Sequence, residues 1–190
     1  TLDKEITAYT GLVTLVQLSA CILGDKNRMS YDAGISYIKN VLEATKTLLK
    51  NPNDLDTRSI IMMGASLSTS SRLGIGKEEA YAYDIYELEF LPEKLFGSSY
   101  RRSLTSIFPR FLEAMGKRHK EDVRKYYLDV FGFDSSIEES SRKLVALFSD
   151  FGVDMYYDGI INREQVGCIP CDTELDENEI FEMINGLIRK

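Results

Sequence analysis

The sequence predicts an all-α domain, and three observations carry that expectation. Apolar side chains recur at three- and four-residue spacing along most of the 190 residues, which places them on one face of a helix. Glycine, proline and Asn/Asp clusters fall between those stretches, where helices stop and restart. No run alternates apolar and polar residues over the length of a strand.

The first helix is expected over Asp3–Leu23, stopped by Gly24 and the polar turn Asp25-Lys26-Asn27. Ser30 is the expected cap of a second helix running to about Lys50, with Ile35, Ile38, Val41, Leu42, Leu48 and Leu49 as its apolar stripe. Asn51-Pro52-Asn53 ends it, because proline restricts its predecessor and cannot donate to the helix ladder. Asp54 or Asp56 then caps a third helix to about Leu73, whose Ile60, Ile61, Met62, Met63 and Leu67 are expected in the core. Gly74 and Gly76 precede a fourth helix over 77–90, and residues 92–99 read as loop. A fifth helix spans Tyr100 to Met115 with a bend at Pro109, held by tertiary packing because an interior proline costs about 3 kcal/mol. Glu121–Phe131, a helix from Ser135 or Ser136 to Phe151, and a last one over Glu177–Ile188 complete the set. The last opens on Asp176-Glu177-Asn178-Glu179, a capping-box pattern with Asp in place of Ser or Thr.

Composition narrows the class. Hydrophobic residues are 44% and charged residues 28%, which is globular rather than disordered. The formal charge is −7, from 23 Lys+Arg against 30 Asp+Glu, with no basic run. Nucleic acid and anionic membranes are therefore not expected partners, since both need clustered cations. The longest apolar stretch, Leu12–Leu23, is interrupted by Thr14, Gln17 and Ser19 and falls short of the ~20 residues that span a bilayer. It does not resemble a secretory signal either. Three cysteines are too few for a disulfide scaffold, so a reducing, cytoplasmic setting is expected. The chain begins at Thr1, which suits a fragment, a processed chain or an excised copy, and residues 1–190 are expected to form one helical domain.

Few residues suggest chemistry directly. Cys168-Ile169-Pro170-Cys171 has the spacing with which two thiolates grip one ion, and Cys21 with His119 would complete a zinc set. A redox dithiol or simple structural cysteines fit the same residues. His119, the single histidine, follows Gly116-Lys117-Arg118 in a charged connector and reads as a solvated residue. Gly74-Ile75-Gly76-Lys77 lacks the spacing of a phosphate cradle. The carboxylate pairs Glu78/Glu79 and Glu87/Glu89 read as solvent-facing, and the cluster Tyr81, Tyr83, Tyr86 as packing.

Laid out in order, the segments resemble the C-terminal, metal-carrying helical domain of the iron-containing alcohol dehydrogenases, a dehydroquinate synthase-like fold, with the butanol dehydrogenase branch most similar. The resemblance rests on Lys39–Met63 (KNVLEATKTLLKNPNDLDTRSIIMM), on Leu73-Gly74 followed by Ala80 and Glu87-Leu88, and on Tyr100–Pro109, which is similar to that family's His-Gly-x-x-Leu-Ala-x-x-x-Pro signature. Lys125–Gly132 and Leu175–Leu187 resemble the next and closing helices. The resemblance implies a four-ligand site for a divalent ion that polarises an alcohol or carbonyl oxygen while hydride passes to or from a nicotinamide. Here the ligating Asp position falls on Gly11, the first His on Leu15, the next on Ala82 or Tyr86, and the last on Tyr100; a further histidine near the reacting group falls on Tyr86 or Phe90. One histidine cannot supply three, so the implied metal centre is expected to be absent, and no cofactor is expected for this chain alone.

Three functional readings follow. The chain is a degenerate helical domain serving as scaffold or ligand-binding remnant. Alternatively it belongs to an NAD(P)-dependent alcohol or aldehyde oxidoreductase, active only with an N-terminal dinucleotide-binding domain. There Tyr86 or Tyr100 would donate a proton; a neighbouring cation lowers a phenol's pKa, and Arg101 and Arg102 sit beside Tyr100. In the third reading it is an interaction module whose partner is that domain, another protein or a second copy of itself.

Overall fold

The computed structural model describes residues 3–70, 73 and 81–189. Ten α-helices follow one another among them: α1 (Lys4–Ile22), α2 (Arg28–Lys50), α3 (Leu55–Thr69), α4 (Ile85–Leu88), α5 (Phe90–Phe96), α6 (Tyr100–Met115), α7 (Lys120–Phe131), α8 (Ile137–Asp150), α9 (Arg163–Gly167) and α10 (Glu177–Asn185). A 3₁₀ turn, Tyr81–Asp84, leads into α4. The only extended pairing among the described residues is an isolated parallel bridge between Tyr157 and Ile188. The all-α expectation holds.

The helix starts follow capping chemistry, in which a short polar side chain takes an amide that has no partner inside the helix. Asp3 accepts from the Ile6 amide (2.7 Å), Asp54 from Thr57 (2.9 Å) and Ser136 from Glu139 (3.2 Å). Asp176 and Glu179 close the reciprocal capping box of α10. Asn27, not Ser30, caps α2, accepting from the Met29 and Ser30 amides, so the helix begins earlier than expected. Gly132 ends α7 at φ 71°, a left-handed turn that a side chain would strain.

α1 is the hub. It is long and apolar enough to cross a bilayer by length and composition, but it is largely buried inside the fold, packed against α2, α3 and α6. Its polar interruptions are absorbed locally: Thr14 donates to the Thr10 carbonyl, and Ser19 meets the Tyr126 hydroxyl at 2.6 Å. A second group of fully buried rings, Phe108, Phe111, Tyr126, Tyr127 and Phe148, joins α6, α7 and α8. α6 continues through Pro109, whose carbonyl accepts from the Ser141 hydroxyl of α8 (2.9 Å).

Three expectations change. Residues 92–96 are helix rather than loop: Pro92 lies in the first turn of α5 (Phe90–Phe96), near the helix start where proline is tolerated. α9, with its Asn162/Gln165 capping box, is a further helix. The third departure is the face of α3. Of the residues expected in the core only Ile61 is buried; Ile60, Met62 and Met63 are 39%, 68% and 62% exposed. α3 turns its narrow side inward through Gly64, where an added Cβ would lie 2.7 Å from Val41 and 3.1 Å from Thr14. The expected helix over 77–80 and the Gly74–Lys77 and Glu78/Glu79 motifs lie outside the described residues.

Candidate functional site

The residues marked by the resemblance lie on α1, the 3₁₀ turn, α4 and the start of α6. Gly11 faces α2 so closely that a Cβ there would stand 2.0 Å from Thr45 Oγ1. Leu15 and Ala82 are fully buried apolar residues. Tyr86 is half-buried on α4 with its ring 6.3 Å from that of Tyr83, and Tyr100 is 39% exposed at the first position of α6. Phe90 is exposed.

Tyr100 is held from α1. Gln17 Nε2 donates to its hydroxyl oxygen (3.2 Å), and Gln17 Oε1 accepts from Ser68 of α3 (3.3 Å). That bond uses a lone pair of the phenol oxygen, and among the described residues its own proton meets no acceptor. Burial pushes the Tyr100 phenol above its ordinary value; the Gln17 bond opposes this, and the charges of Glu89 and Glu93 add to it. Burial likewise raises Tyr86, with Cys21, Tyr100 and Tyr83 as further contributors.

The cations expected to lower the Tyr100 phenol do not do so. Arg102 turns to the opposite side, donating to Asp154 Oδ2 (2.9 Å) and the Tyr156 carbonyl and lying over the Tyr157 ring. Arg101 is exposed beside Tyr100, and the net effect on Tyr100 is upward. Neutral phenols that remain neutral across the physiological range are the result.

The cysteines and histidine do not converge. Cys21 donates to the Ser68 carbonyl (3.4 Å), whereas Cys168 and Cys171 follow α9, and Cys171 approaches the Glu87 carbonyl (3.8 Å). His119 precedes α7, stacked at 3.9 Å on Tyr81 and bonded to Glu174 (2.8 Å). Among the described residues no three His, Cys, Asp or Glu side chains gather where a metal ion could sit. The His119 contacts, with Tyr81 bonded to Asp122 and Asp84 accepting from Thr173 and the Glu174 amide, anchor the 3₁₀ turn that leads into α4. They make His119 a structural residue rather than a solvated one.

Sequence reasoning missed Gln17, Ser68 and Glu89. Gln17 carried a usable signal, as a polar residue interrupting the most apolar stretch of the chain. Glu89 carried none: paired with Glu87 it reads as solvent-facing, yet it is 3% exposed.

This arrangement of helices matches solved structures along the whole chain. NADH-dependent butanol dehydrogenase A from Thermotoga maritima superposes with a TM-score of 0.83 over 100% of this chain and 54% of its own, at 14% identity. The fold is the one found in about half of an iron-containing alcohol dehydrogenase chain. The iron-containing alcohol dehydrogenase from Corynebacterium glutamicum gives a TM-score of 0.66 at 15% identity, over 98% of this chain and 53% of its own. The aldehyde reductase YqhD from E. coli gives 0.70 at 16% identity, over 82% of this chain and 42% of its own. The chain thus spans about half the length of the structures it matches. No protein-family model matches the sequence, and no curated protein is similar to it in sequence.

Proposed function

We propose that this chain is an alcohol dehydrogenase-like helical domain that has given up the divalent metal and works as a scaffold or ligand-binding domain. The observation that carries the reading is the fit of Gly11 against Thr45. The position where the resemblance places a ligating carboxylate is closed by helix packing, and no side chain longer than hydrogen enters without displacing Thr45 of α2. The remaining positions support it. Leu15 and Ala82 offer no lone pair, and Tyr86 and Tyr100 would bind a divalent ion well only as phenolates, which burial disfavours. The donor set does not fit iron or zinc.

Elemental analysis of the protein, purified anaerobically after exposure to Fe2+ or Zn2+, tests this. Well under one metal per chain is expected. One tightly held ion per chain overturns the reading.

The Gln17–Tyr100 bond favours a second reading, a proton-donating role in a longer oxidoreductase. A phenol whose oxygen is fixed and whose proton is free can protonate a nascent alkoxide. Its test is the consumption of NADH or NADPH with small aldehydes by the chain joined to a dinucleotide-binding domain. Turnover lost in Tyr100→Phe supports it; no turnover with the wild-type residue sinks it.

A further inference from the structure

The junction between α4 and α5 holds a carboxyl group where an ordinary carboxylate is unfavourable. Glu89 is the one acidic residue in the buried set among the described residues. Its amide closes α4 on the Ile85 carbonyl (2.9 Å), and its backbone stays helical (φ −68°, ψ −22°), so α5 runs on and brings Glu93 one turn later. Glu89 Oε2 has no hydrogen-bond partner. Withdrawing an ionised oxygen from water without a donor to replace it is strongly disfavoured.

Among the described residues, the surrounding elements supply no compensating cation. On α6, packed against both α4 and α5, Arg102 is committed to Asp154 and Tyr156, Arg101 is exposed, and Tyr100 is a neutral phenol. On α9, packed against α5, Arg163 is engaged by Asn178 and by Glu182 (3.6 Å), and Glu164 is a further acid. Asp84, from the 3₁₀ turn against α4, is occupied by Thr173 and the Glu174 amide. Glu87 of α4 adds another negative charge, and Lys94 of α5 is exposed. One helical turn on, Glu93 adds a like charge, and a buried carboxyl beside a like charge is eased by keeping its proton.

We propose that Glu89 and Glu93 form a one-proton carboxyl dyad at the α4–α5 junction, whose charge is felt at the Tyr100 end of the candidate site. Burial, followed by the charge of Glu93 and the hydrogen bond to it, pushes Glu89 up to about 7. The reaction is a simple ionisation: the carboxylic acid loses its proton to solvent, leaving two carboxylates and no other product. The dyad therefore changes charge in the neutral range. Because both glutamates act on the Tyr100 phenol, the tyrosine face is one charge more negative above that range than below it.

Carbon-13 NMR of the Glu89 carboxyl and the Tyr100 ring, followed from about pH 4 to 9 on the 190-residue chain, tests the dyad. The Glu89 resonance is expected to titrate with a midpoint of about 7, and the Tyr100 ring to shift with the same midpoint. Glu93→Gln, an isosteric change at a half-exposed residue, is expected to lower the Glu89 midpoint by about one unit or more. Glu89→Gln is expected to remove the step from Tyr100. A wild-type Glu89 midpoint below about 5, or one that Glu93→Gln leaves in place, overturns the proposal. Wild type and Glu93→Gln decide between these outcomes even if Glu89→Gln fails to fold.

Discussion

Gly11 decides between two opposite expectations for one substitution. In an isolated helix Gly→Ala stabilises by about 1 kcal/mol, because alanine loses less backbone freedom. Here the new methyl would stand 2.0 Å from Thr45 Oγ1, and that hydroxyl is itself fixed by a bond to the Val41 carbonyl (2.7 Å). Overpacking of this kind costs about 1–3 kcal/mol. Gly11→Ala is therefore expected to lower the midpoint of urea unfolding, and a raised midpoint would show that α1 and α2 have slack between them. At this scale the sequence was half legible. It marks Gly11 and Leu15 as empty of donors, because residue type alone settles what a side chain can ligate. It hides Glu89, because burial of a glutamate depends on where two short helices join and what lies above them.

α3 separates periodicity from burial. Its apolar residues recur at helical spacing and its cap at Asp54 is readable from the sequence, so the helix itself was legible. Which of its sides faces inward was not. Ile60, Ile61, Met62 and Met63 are consecutive, and four consecutive residues cover the full circumference of a helix; the close approach at Gly64 selects Ile61 instead. Ile60, Met63 and Leu67 are left with Tyr37 and Val41 around an outward groove of about 430 Å3. Paired truncations measure the difference. Ile61→Ala should cost about 2–4 kcal/mol as a buried aliphatic deletion, whereas Met62→Ala should stay within about 0.5 kcal/mol. Equal losses in chemical denaturation would mean that the Met62 side is covered in solution.

At the scale of the molecule, the order of helices outlasts the sequence: a TM-score of 0.83 accompanies 14% identity. Packing constrains helix position through volume and small-residue contacts, which many sequences satisfy, whereas ligation needs particular atoms and disappears with a few substitutions. One tie between distant parts of the fold joins α10 to the connector after α6, where Arg118 grips Glu179 through two bonds (2.9 and 2.6 Å) while Glu179 also completes the α10 capping box. The Arg118 bond, with smaller help from the Asp176 amide and from the charges of Arg118 and Lys117, holds the Glu179 carboxyl down at about 2. A folded-state value below the unfolded one stabilises the protein above the unfolded pKa and is lost as pH falls through the folded one. Glu89, raised to about 7 from 4.5, has the opposite sign: the folded state holds its proton more tightly, so stability declines as pH rises from about 4.5 to 7. The two glutamates thus erode stability on either side of the unfolded carboxylate range. Because Arg118 is partly exposed, solvent screening limits the Glu179 contribution to about 1 kcal/mol. Glu179→Gln is expected to lower stability by that amount at pH 6 and by progressively less as pH falls toward 2, so that the two unfolding curves converge on acidification. Thermal melts of both proteins across that interval measure the convergence, and a constant gap between them would show that the Arg118 grip contributes nothing that titrates.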